Sequence, residues 1–257
     1  MVRQHAVSRG KSRRRPAWCV LLALALVAAT AAAACHKAPP SPPPAWLPRV
    51  PDGYGEPYEA KAVLGVQDRR LRLPTGQVCG AEAADCAEPL AALQGQALAL
   101  ELDGSSRMAD LSAPLAALAL ALRPGATACL AVADSQGRRC VPFRPFSGDD
   151  FGAWLDADKP LGKLRVIMRS DGMEVVADRG KLPGPDRYGP SLPPVEGKPD
   201  FAGLDRAASL LAVRFRDETV AGLAPSPSLP VAQVAHALAL LNGPGGGRFE
   251  TTFLVYP

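Results

Sequence analysis

Residues 164–178 read LRVIMRSDGMEVVAD, and this stretch decides the fold class. Two short apolar runs flank Ser170-Asp171-Gly172, the composition of a tight hairpin turn. Asp171 reads there as a turn residue that tolerates left-handed backbone. Downstream the period changes. After a Pro/Gly-rich loop over 178–200, Asp200 is placed to cap a helix, because its carboxylate can accept from orphan first-turn N–H groups. Phe201, Leu204, Leu211 and Phe215 recur behind it at helical spacing. TVAGLA at 219–224 reads as a strand. Ser228 is expected to cap a second helix with Pro230 in its first turn, where a missing N–H costs little. Val231, Val234, Leu238 and Leu241 form that helix's apolar stripe, and Asn242-Gly243-Pro244-Gly245 ends it. FETTFLVY at 249–256 closes the set as a strand, so the order is ββαβαβ.

Upstream the chain follows the same script. AKAVLGVQDRRLRL (60–73) gives two runs around a turn, and a cysteine-bounded loop leads to a short helix near 86–94. QALALEL (96–102) reads as a strand, Ser112-Ala113-Pro114 opens a helix as Ser228-Leu229-Pro230 does, and ACLAVAD (128–134) closes. The interior strands start 123 residues apart and the closing strands 121 apart, which favours an internal duplication. The expected fold is α+β: two tandem ββαβαβ domains at 58–146 and 161–257, each a short mixed sheet with two helices. The intervening 147–160 reads as a solvated linker. Its acids (Asp149, Asp150, Asp156, Asp158) lack the alternating order of a calcium loop.

The N-terminus speaks to location. Residues 1–16 carry Arg3, Arg9, Lys11, Arg13, Arg14 and Arg15 without an acid, residues 17–34 are uncharged, and Cys35 follows three alanines. That is the layout of an export signal. A cysteine directly after small residues resembles a lipobox, so 1–34 is expected to be removed and Cys35 lipidated. The Pro-rich 35–57 would then be a semi-rigid tether. Ala32 stands where a lipobox has Leu, and eighteen apolar residues approach the roughly 20 that span a bilayer. An uncleaved anchor helix is therefore the alternative. Both readings place the rest of the chain in the cell envelope, facing the periplasm, with outer-membrane sorting favoured under the lipid anchor.

The formal charge of +4 comes from the leader. Without its six basic residues, 23 bases face 25 acids, a net of −2. Such a chain lacks the concentrated basic face that nucleic acid requires. Beyond Cys35 four cysteines remain, and an even number in an exported chain reads as two disulfides with three possible connectivities. Local closure, Cys79–Cys86 and Cys129–Cys140, is the expected one. The second pair would staple two strands across Asp134-Ser135-Gln136-Gly137. Neither gap has the short spacing of a zinc site, and no metal or cofactor is expected.

VIMRSDGMEVVAD, FAGLDRAASLLAVRF, VAGLAPSPSLPVAQVAHALALL and FETTFLVY together resemble the periplasmic domain of the ExbD/TolR biopolymer-transport family. Ser170-Asp171-Gly172 matches the family's turn, Leu229-Pro230-Val231 approximates its helix start, and Pro225 stands where the family often has Asp. The resemblance covers about 95 residues clearly and the first segment more weakly. It implies the α+β fold and partners in the envelope, either ExbB/TolQ-like motor proteins or peptidoglycan; a dimer is admitted. The family's membrane helix carries an acid that serves proton flow, whereas residues 17–35 contain none. An intramembrane acid is costly and kept for function, so this chain is not expected to move protons.

No nucleophile elbow, zincin motif or phosphate loop occurs, so an enzyme is not expected. Gly243–Gly247 reads as a helix-end turn. His236 lies off the stripe, on a face expected to be solvated. The long 178–200 loop is the best candidate for partner binding, because a loop of this length in a compact domain is usually functional or disordered. It offers Arg179, Lys181, Arg187 and Tyr188 on a proline-stiffened frame. The reading is a non-enzymatic envelope lipoprotein that binds a protein or peptidoglycan partner near a transport complex. A membrane-anchored transport subunit or a periplasmic enzyme are the alternatives.

Overall fold

A computed structural model describes residues 42–80, 83–123, 126–156, 164–177, 180–216 and 219–256. Residues 1–34, read as an export signal, Cys35 and Arg179 lie outside the described residues. In the first half the strands are β1 (Glu56–Pro57), β2 (Ala62–Gln67), β3 (Arg70–Arg72), β4 (Leu98–Glu101) and β5 (Ala128–Ala133). Helices α1 (Ala87–Ala91) and α2 (Ser112–Ala121) lie between them. β6 (Arg138–Ser147) and α3 (Gly148–Asp156) occupy the middle. The second half holds β7 (Leu164–Arg169), β8 (Gly172–Ala177), β9 (Gly180–Lys181), α4 (Phe201–Arg214), β10 (Val220–Pro225), α5 (Val231–Asn242) and β11 (Thr251–Tyr256).

The ββαβαβ order holds in both halves. β2 pairs parallel with β4 and β4 with β5, while β3 returns antiparallel on β2. Likewise β7 pairs parallel with β10, β10 with β11, and β8 returns on β7. The two sheets expected to stand apart are instead one mixed sheet, β3-β2-β4-β5-β6-β11-β10-β7-β8-β9. β6 is the splice. Its residues Arg138–Phe143 pair antiparallel with β5, and Arg144–Ser147 pair parallel with β11. One apolar cluster runs through both halves, from Leu64, Leu100 and Leu118 to Val166, Leu223 and Leu238. From Pro42 onward the chain is one compact unit.

Residues read as linker supply the helix that follows β6. Ser147 caps α3: its hydroxyl accepts from the Asp150 N–H at 3.0 Å and donates to the Asp150 carboxylate at 2.7 Å. Ser147-x-x-Asp150 is a capping arrangement, the local signal that marks 148–156 as helical. Phe151 then lies against the sheet, where a Cβ on Gly222 would come within 2.9 Å of its ring.

The described part of the expected tether, 42–57, packs on the sheet. Leu47 is buried against Ala131 and Ala133, and the Val50 N–H donates to the Ala133 carbonyl at 3.0 Å. The arm then passes the β5–β6 turn, where the Ser135 N–H donates to Asp52 at 2.9 Å, and joins the other edge of β6 as β1. It is thus wrapped around the tip of the β5–β6 hairpin.

Helix α5 departs from its sequence reading. Val231, Val234, Ala235 and every residue from Ala237 to Asn242 are buried, so it is an internal helix rather than an amphipathic surface one. It starts at Val231, and Ser228 does not cap it; the Val231 and Ala232 N–H groups donate to the carbonyls of Ser106 and Gly104 at 2.8 and 3.0 Å. In α2, by contrast, Ser112 is the first helical residue, so the two Ser-x-Pro starts are not equivalent positions. His236 is not on a solvated face: its ring stacks on Phe201 of α4 at 4.0 Å, and burial lowers its pKa. Asp200 caps α4, accepting from the Gly203 N–H at 2.8 Å.

Candidate functional site

The β7–β8 hairpin and the 180–199 loop build one end of the second half. Arg169 pairs with Gly172, leaving Ser170 and Asp171 as the turn. The positive φ falls on Gly172 (136°) and not on Asp171. A side chain there would also meet the Leu192 carbonyl at 2.6 Å, so the returning loop requires glycine at this position. The loop is held rather than loose. Met173 and Leu192 exchange backbone hydrogen bonds at 2.9 Å, and the buried Ser191 hydroxyl donates to the Leu182 carbonyl at 2.7 Å. The same hydroxyl accepts from the Val175 N–H at 3.2 Å.

These contacts sort the expected site residues. Lys181 is a strut: its ammonium donates to the Gly189 carbonyl at 2.6 Å. Tyr188 is 87 % exposed, with the Arg187 guanidinium 5.7 Å from its ring centroid. Both are presented to solvent by a short turn in which Asp186 accepts from the Tyr188 N–H at 3.0 Å. Tyr188 borders a small hollow shared with Arg169, Asp171 and Glu174.

A larger cleft, of about 290 Å³, opens on the other side of the hairpin turn. Arg169, Ser170 and Gly172 form one wall, and Pro194, Gly197 and Pro199 of the loop form a second. Ser228, Leu229, Pro230 and Gln233, at the start of α5, form a third, with Arg107 reaching in from the first half. Sequence reading missed Arg107 because its place depends on a long-range clasp. The Met108 and Ala109 N–H groups donate to the carbonyls of Leu229 and Pro227 at 3.0 and 2.9 Å, and the Arg107 side chain donates to the Ser228 carbonyl at 2.8 Å.

The cysteines pair locally, as expected. Cys79 and Cys86 lie at disulfide distance with Cα atoms 5.3 Å apart, and Cys129 and Cys140 with Cα atoms 5.2 Å apart. The first pair is buried. The second bridges β5 and β6 diagonally, since Cys129 stands opposite Pro142 and Cys140 opposite Ala131. It lines a separate cleft with Glu56 and Glu59.

Among the described residues, no group of three or more His, Cys, Asp or Glu side chains is placed to hold a metal ion. Nor is any described helix long and apolar enough to cross a membrane. Comparison with family models, with curated proteins and with solved structures returns no match for this chain.

Proposed function

We propose that this chain is a non-enzymatic cell-envelope protein, lipid-anchored at Cys35, that binds a protein or peptidoglycan partner beside a biopolymer transport complex. The observation that carries the reading is the repeated topology. Hairpin, helix, strand, helix and strand recur with the same order and polarity in each half, which is the arrangement the ExbD/TolR resemblance implies. On this reading 58–146 and 161–257 are two such units fused through β6. The two local cysteine pairs add support, because disulfides persist in oxidising compartments. The exposed Arg187–Tyr188 turn supplies an aromatic and a cation on a stiff frame, the residue types that dominate binding hot spots.

The test is retention of the full-length protein on isolated peptidoglycan sacculi, together with cross-linking in envelopes. Removing the whole loop would strip β9 and the Ser191 and Leu192 contacts from β8, so point changes are the cleaner probe. Tyr188→Ala with Arg187→Ala should weaken retention or cross-linking about tenfold, with the far-UV spectrum unchanged. A wild-type protein that binds neither sacculi nor any envelope protein overturns the reading.

A further inference from the structure

The cleft beside the β7–β8 turn has a chemistry of its own. Its lining contains two arginines, Arg107 and Arg169, and no carboxylate. Carboxylates adjoin the cleft without lining it: Glu174 meets Arg169 at 2.8 Å from the neighbouring hollow, and Asp110 pairs with Arg69 at 2.8 Å while accepting from the Arg107 backbone N–H at 3.4 Å. A guanidinium carries five N–H donors in a fork that matches a carboxylate. Arg107 gives one of its terminal nitrogens to the Ser228 carbonyl, which fixes its head at the cleft wall, and Arg169 gives one to Glu174. Each retains donors for a ligand. The remaining walls are stiff, from Pro194, Pro199 and Pro230, and the Gln233 side chain adds an amide donor and acceptor. A preformed cleft loses little entropy on binding.

We infer that this cleft is a binding site for the carboxylate of a partner polypeptide, gripped between Arg107 of the first half and Arg169 of the second. The inference rests on the reading that the chain binds an envelope partner, and it adds a grip in the cleft to the contact at the exposed Arg187–Tyr188 turn. Both arginines are exposed, so the site binds weakly on its own and is sensitive to salt.

The test uses full-length protein in detergent micelles, with N-acetyl-trialanine as the free acid and as its C-terminal amide, followed by saturation-transfer NMR titration at low and high salt. The acid should bind with the amide about tenfold weaker, the increment of a hydrogen bond to a charged group. Arg169→Gln should lose about the same factor, Arg169→Lys should recover part of it, and high salt should abolish binding. Because Arg107 also holds the clasp, Arg107→Gln is read only alongside an unchanged far-UV spectrum. Equal binding of acid and amide, indifference to Arg169→Gln, or binding of inorganic sulfate without the peptide acid overturns the inference. Those outcomes leave retention on sacculi unaffected, so the two readings fail separately.

Discussion

Strands β2, β4 and β5 run in the same order and polarity as β7, β10 and β11, but the sheet faces opposite their helices are covered by unlike means. In the first half the cover is the 42–57 arm, and its fastening is polar. The Asp134 side chain is fully buried; one oxygen accepts from the Gln136 and Gly137 N–H groups at 2.8 and 2.9 Å, and the other meets Arg139 at 2.7 Å. Arg49 reaches the Asp134 carbonyl at 3.2 Å. In the second half the cover is α3, and its fastening is apolar. Phe146 and Phe253 stack at 4.3 Å, and Phe151 lies over Gly222. A small sheet with helices on one side leaves its other face to water unless something is added. The two additions are the parts of the chain that do not repeat.

The aromatic fastening should be the most expensive to break. Phe253→Ala removes a ring that is 8 % exposed and stacked, and should cost about 3–4 kcal/mol in urea unfolding. A loss below 1 kcal/mol would mean that the β6–β11 joint does not depend on this packing. In the first half, replacing Cys129 and Cys140 together by Ser should cost about 2–3 kcal/mol by loop closure, since they lie 11 residues apart. The second half has no such staple among its described residues. Its Phe253→Ala deficit should therefore persist unchanged under reducing conditions, while the cysteine variant becomes indistinguishable from reduced wild type.

The polar fastening should reveal itself through pH. Burial pushes the Asp134 carboxyl up, but the hydrogen bond from Arg139, those from the Gln136 and Gly53 N–H groups, and the guanidinium charge outweigh it. The carboxyl is left below its ordinary value. A depressed carboxylate pKa stabilises the fold above the unfolded value of about 4 and loses that contribution as pH falls through the folded one. Asp134→Asn should cost about 2 kcal/mol at pH 7, and the gap to wild type should close as the pH approaches 3. A gap independent of pH would assign the cost to packing instead.

Much of this comparison was legible in the residues, and the remainder fails for identifiable reasons. Hairpin turns, the Asp200 cap and the ββαβαβ order along the chain follow from local periodicity and turn chemistry. The first hairpin turns on Asp68 and Arg69, both with positive φ, and the second on Ser170 and Asp171 with Gly172 carrying the φ, so one pattern tolerates different turn residues. The joint at β6 was hidden because Pro142 and Pro145 argue against a strand interior. Pro142 nevertheless stands opposite Cys129, and Pro145 opposite Leu254. The arm was hidden because its apolar content is slight; Leu47 and Val50 insert, and backbone pairing does the rest. The cleft was hidden because Arg107 and Arg169 are 62 residues apart and meet only through the clasp of 106–109 against 227–231.

The smallest effect lies where the halves' helices differ most, at the α4–α5 contact. Stacked on Phe201 at 4.0 Å, His236 is held neutral because burial penalises the imidazolium and lowers its pKa. In the unfolded chain it titrates near its ordinary value of about 6.5. Between that value and the lowered folded one, the unfolded state binds the proton and the folded state does not, so stability falls as the pH drops below about 6.5. His236→Phe keeps a ring against Phe201 and cannot titrate. Its melting temperature should match wild type at pH 8 and exceed it at pH 5. Parallel pH curves for the two proteins would show that the imidazole is free to charge where it stands, and that the α4–α5 contact is looser than the internal position of α5 requires.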